Sequence, residues 1–95
     1  MGVLAEDDIE RRLAEVEDWQ RGERGTSISR EAELEDFAAA IALVNRVAEL
    51  AEAANHHPDI LVHGWNKVRL TLSTHSEGGL TDADFALAAR IDGLL

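Results

Sequence analysis

Two of the four histidines in this 95-residue chain are adjacent: "EAANHHPD", Glu52 to Asp59, sets His56 and His57 directly before the only proline, Pro58. Proline cannot continue a helix and biases its predecessor toward extended geometry, so the pair stands at a helix end. Adjacent helical side chains point about 100° apart, so both cannot belong to a core. A third histidine, His75, closes the alternating segment "KVRLTLSTH", and an acid, Asp84, follows in "GGLTDADF". Three chemistries suit such a set. A metal site would use Glu52 and His56 at i, i+4, completed by His57 or His75. Vicinal histidines rarely share one ion, however, and the chain has neither the helical metalloprotease motif nor an acid placed to orient the ligands. No metal is therefore expected. Nucleophilic catalysis lacks a cysteine and a serine in an elbow motif. Acid–base chemistry remains, because an imidazole with an ordinary pKa of about 6.5 gives and takes protons near neutrality.

Each residue also has a plain structural reading. Histidines at a helix C-terminus meet favourable carbonyls, His75 suits a solvated turn, and Asp84 suits a helix cap. A shared site requires that the fold bring them together.

The elements that must do so are legible in the pattern. Asp7 and Asp8 open a helix with Ile9, Leu13 and Val16 on one face. "EDWQRGERGTSISREAEL" reads as a hairpin turning at Gly22 to Gly25; in its second arm Ile28, Ala32 and Leu34 alternate with Ser27, Ser29, Glu31 and Glu33, and Arg30 interrupts the inner row. Asp36 to about Asn55 is helical. Phe37, Ile41, Val44, Ala48 and Ala51 make one stripe, widened by Leu43, Val47, Leu50 and Ala54. This spans roughly half the circumference, more than the ~100° a one-sided helix needs. The surplus, Leu43, Val47 and Leu50, is expected to pack on another subunit. Glu52 and His56 share the polar side. "DILVHG" and "WNKVRLTLSTH" follow as strands, with Val68, Leu70 and Leu72 inward and His75 at the exit. A closing helix turns Phe85, Ala88, Ile91 and Leu95 inward, and Thr81 and Asp84 have capping-box spacing. The order α-β-β-α-β-β-α implies an α+β fold, a four-stranded antiparallel sheet with the helices packed on one face, as a single domain over residues 1–95.

Composition narrows the classes. A formal charge of −10 with no basic run argues against nucleic acid, and no stretch is long or apolar enough for a membrane. The N-terminus lacks a signal peptide's features, and position 6 is Glu where a myristoylation motif needs Ser or Thr, so a cytoplasmic location is the expectation. Without cysteine there is no disulfide or thiolate site.

"ExxxHHP", then "WN", "LSTH" and "GGLTDADFALAARID", in this order and spacing, resembles the pterin-4a-carbinolamine dehydratase family from about Trp19 to Ile91. The resemblance implies dehydration of a 4a-hydroxytetrahydropterin to the quinonoid dihydropterin without metal or cofactor, the step that recycles tetrahydrobiopterin for aromatic amino-acid hydroxylases. It places catalytic histidines on His56, His57 and His75, supporting acids on Glu52 and Asp84, and a pterin-facing tryptophan on Trp19. It also implies a homodimer or homotetramer formed through the sheet edge and the long helix. The family includes binding factors tied to Rubisco assembly or to homeodomain transcription factors, which is the alternative reading. The chain departs from the family at Ala32 and Leu34, where aromatic residues are usual. Its loop from Pro58 to Trp65 is one residue longer than in animal members, and within that loop His63 matches no family role and is expected at the surface.

Overall fold

The computed structural model describes residues 2–95. Helix α1 (Glu6–Glu15) is followed by strand β1 (Gln20–Arg21), strand β2 (Ile28–Glu33), helix α2 (Phe37–Ala54), strands β3 (Asp59–His63) and β4 (Lys67–Leu72), a 3₁₀ turn (His75–Glu77) and helix α3 (Asp82–Asp92). The four strands form an antiparallel sheet in the order β1-β2-β4-β3. Ile28, Val68, Leu70 and Leu72 from its inner face are buried with Ala40, Leu43, Val47 and Ala51 of α2 and with Phe85, Leu87, Ala88 and Ile91 of α3. Among the described residues no helix is long and apolar enough to cross a membrane.

Helix α2 starts where the Asp36 carboxylate accepts the Ala39 N–H at 2.8 Å. It ends where Asn55 turns into the left-handed region (φ 50°) and donates back to Ala51 and Glu52. Its face is rotated from the sequence expectation. Leu43 and Val47, read as surplus for a partner, are core residues, and Leu50 is half-buried against the core. Phe37 (55 % exposed) and Ile41 look out instead. An apolar band half a circumference wide contains more than one admissible core stripe, and packing against the sheet and α3 selects the one starting at Ala40. Leu95, expected inward, is also exposed, because it lies past the end of α3.

Arg30 has a definite place in the inner row it interrupts. Its guanidinium reaches Asp92 at the end of α3 (2.6 Å) and Asp18 (3.4 Å), and the same Asp92 oxygen accepts the Trp19 indole N–H at 2.7 Å. One carboxylate thus ties β2 and the approach to β1 to the last helix. His63 lies on the open side of the sheet and donates to Glu31 at 2.6 Å. That hydrogen bond is the chief reason the Glu31 carboxyl is held below its usual range.

Candidate active site

Asp84 anchors the start of α3, where His56 from the end of α2 and Thr74 from the end of β4 converge. Thr81 caps α3 by accepting the Ala83 N–H, and Asp84 returns the capping box by accepting the Thr81 N–H at 2.9 Å. The same carboxylate, fully buried, accepts the Thr74 hydroxyl at 2.8 Å on one oxygen and His56 Nε2 at 2.6 Å on the other. Thr74 lies 2.8 Å from the Thr81 hydroxyl. The hydrogens can be ordered. The ionised Asp84 carboxylate can only accept, so the single Thr74 hydroxyl proton goes to it, and Thr81 donates to Thr74. A carboxylate can only accept, which places the proton of a neutral His56 on Nε2 and leaves Nδ1 as the acceptor. Among the described residues no side-chain nitrogen or oxygen that is itself shielded from solvent is left without a partner.

His56 is therefore a held residue, its side chain only 14 % exposed. His57 is not, with its side chain 58 % exposed, but its Nε2 meets the Glu52 carboxylate at 2.5 Å. The sequence pattern puts Glu52 on the face of His56, four residues on. The structure pairs it with His57 instead, because the left-handed turn at Asn55 takes His56 off the helical path before the i, i+4 spacing is completed. Two of the three imidazoles thus share one arrangement, a carboxylate on Nε2 that fixes the ring and leaves Nδ1 for chemistry.

His75 opens the 3₁₀ turn after β4, exposed and without a side-chain partner among the described residues. It lines a cavity of about 390 Å³ together with Thr71 and Ser73 from the end of β4, Gly78 from the end of its own 3₁₀ turn and Arg24 from the β1–β2 turn. The cavity's remaining walls include Asp59, two residues beyond His57. His56 faces a smaller hollow of about 230 Å³ between the ends of α2 and α3, with Ala53, Ala86 and Arg90. His56 and His75 thus face two hollows, joined by covalent and hydrogen-bonded links: His56 to Asp84, Asp84 to Thr74, and Thr74 to His75 next in the chain. Trp19 is not among the lining residues of either hollow; it is 3 % exposed, in the core, with its indole on Asp92. Thr74 is the residue that sequence reasoning missed. The signal for it was the threonine of "STH", a strand-end hydroxyl one residue from the histidine. Among the described residues no three His, Asp or Glu side chains gather as ligands for one ion.

Comparison with known proteins completes the picture. Residues 2–94 match the family model described as pterin 4 alpha carbinolamine dehydratase. A candidate pterin-4-alpha-carbinolamine dehydratase of Nocardia farcinica is 52 % identical over 92 residues, covering 97 % of this chain and 94 % of its own. Among solved structures, a transcriptional coactivator/pterin dehydratase from Brucella melitensis superposes with a TM-score of 0.92 at 30 % identity, covering 98 % of each chain. A pterin dehydratase-like protein described as a RuBisCO assembly factor in the alpha-carboxysome gives a TM-score of 0.69 at 27 % identity, covering 81 % of this chain and 88 % of its own.

Proposed function

This chain belongs to the pterin 4 alpha carbinolamine dehydratase family, and from that premise we propose that it dehydrates a 4a-hydroxytetrahydropterin to the quinonoid dihydropterin by imidazole acid–base catalysis. The observation that carries the proposal is the unpaired imidazole of His75 on a cavity wall, one residue from a buried Thr74–Asp84–His56 chain of hydrogen bonds. In the reaction the C4a–O bond breaks, the N5 lone pair forms the N5=C4a double bond, and the N5 proton is removed. A donor must protonate the departing oxygen so that it leaves as water, and a base must take the N5 proton. His75 serves at the cavity, the Glu52-held ring of His57 supplies the second function, and His56, which faces the other hollow, acts through the Asp84–Thr74 hydrogen bonds that lead to His75. One proton is given and one taken, so the enzyme is restored by exchange with solvent. Each well-placed acid or base is worth about 10²–10⁴-fold.

The second reading, a binding or assembly factor, is favoured by the solved relative described as a RuBisCO assembly factor. The two separate under substoichiometric conditions. A catalyst present at one hundredth of a freshly generated 4a-hydroxytetrahydropterin clears all of it faster than the spontaneous rate. A binder changes at most an amount equal to itself, and that result would remove the dehydratase reading.

The chain acts as a homo-oligomer. Phe37 and Ile41 expose apolar surface along α2, and Leu61 and Trp65 do so on and beside β3, whose outer edge has no neighbouring strand in the sheet. A two-fold axis against such an edge pairs it with its own copy. Light scattering at micromolar concentration is expected to give at least twice the 10.4 kDa chain mass; a constant monomer mass rejects the assembly.

A further inference from the structure

The cavity that holds His75 has two charged walls that the proton chemistry leaves unused. Asp59 begins β3 and Arg24 sits in the β1–β2 turn; both line the cavity, and neither side chain makes a hydrogen bond or ion pair with any described residue. Elsewhere Arg11, Arg12, Arg21, Arg30 and Arg69 engage carboxylates, whereas Arg24, Arg46 and Arg90 pair with none among the described residues, and of these three only Arg24 lines this cavity. Arg24 stays unpaired in a chain with nineteen acidic residues. Its turn is also fastened: the Ser73 hydroxyl donates to the Thr26 carbonyl at 2.8 Å, and Arg21 Nε donates to the Gly25 carbonyl at 3.0 Å. Opposite charges around one opening, with no partner of their own, suit a ligand that shows two donors on one side and an acceptor beside them.

The pyrimidine edge of a pterin has that order. Its N3–H and 2-amino N–H are adjacent, parallel donors whose spacing matches the two oxygens of a carboxylate, and the 4-carbonyl follows as an acceptor. We propose that Asp59 binds the N2/N3 donor edge and Arg24 the 4-carbonyl. C4a is the ring atom next to C4, so Arg24 is the anchor nearer the reacting carbon. A cavity of about 390 Å³ falls within the usual range for small-molecule sites. This inference rests on the dehydratase reading and makes Asp59 and Arg24 the determinants of ring specificity.

Fluorescence titration with two stable bicyclic probes tests it. Pterin carries the 2-amino group; lumazine, the 2,4-dioxo analogue, has a carbonyl there and keeps the 4-carbonyl. The native chain binds pterin more tightly than lumazine. Asp59→Asn offers one donor and one acceptor, which matches the lumazine edge, so the pterin-to-lumazine preference falls by about tenfold or more. Arg24→Met weakens both probes together, by about tenfold, and leaves their ratio unchanged, since both have the 4-carbonyl. Asp59 is exposed at a strand end, so thermal melts of both variants should match the parent. If the native chain accelerates dehydration but Asp59→Asn keeps the native preference, this assignment is overturned and the dehydratase reading stands. If the native chain neither binds pterin nor accelerates dehydration, both fall together.

Discussion

Replacing His75 by alanine is expected to lower turnover by about 10²-fold or more while leaving the thermal melt close to that of the parent chain. The side chain is exposed on a cavity wall and holds no partner among the described residues, so its removal opens no void and strands no buried group. His57→Ala should behave alike, since that ring is also largely exposed and its one partner, Glu52, is itself at the surface. Glu52→Ala costs less, because that carboxylate orients a ring and transfers no proton itself. Where one imidazole covers partly for another, the losses do not add. Steady-state kinetics beside thermal melts decide the matter. A His75→Ala variant that turns over like the parent, or that unfolds, makes His75 structural and removes it from the site.

Asp84→Ala is expected to be the most destabilising substitution in this region. It deprives the His56 ring N–H, the Thr74 hydroxyl and the Thr81 N–H of their common acceptor in a fully buried position. Each stranded donor costs about 1–3 kcal/mol, so a loss of at least ~3 kcal/mol is expected, which at roughly 4–8 °C per kcal/mol for a domain of this size lowers Tm by at least about 12 °C. Activity should fall further than folded fraction alone accounts for, because His56 loses the partner that fixes its tautomer. Adding His56→Ala to Asp84→Ala should cost less than the sum of the two, as groups in one network couple. A melt within a few degrees of the parent would show that the network does not hold this end of the molecule.

The sequence carried most of this fold. Asp36, Pro58, the alternation Val68-Leu70-Leu72 and the Thr81–Asp84 capping box act over a few residues, and each local rule agrees with the final element. What it carried poorly was decided at long range or by one backbone angle. The pairing of Glu52 with His57 follows from a left-handed Asn55, a choice made by the geometry of the helix exit and invisible in side-chain spacing. Trp19 and Arg30 meet Asp92 from 73 and 62 residues away, contacts that no local pattern announces. The facing of α2 was ambiguous because alanine and leucine occupy most of two sides, and only contact with the sheet distinguishes them. Of the candidate site, the residue types and their order along the chain were legible. Thr74 was not, because a strand-end threonine becomes informative only once Asp84 is seen beneath it.

The measurement that bears most directly on the account is the rate at which the purified chain, dialysed exhaustively against EDTA, converts freshly generated 4a-hydroxytetrahydropterin to quinonoid dihydropterin. Imidazole acid–base catalysis predicts many turnovers per chain at a rate unchanged by the chelator. A rate no faster than the spontaneous reaction, or activity lost to EDTA and restored by zinc, would contradict it.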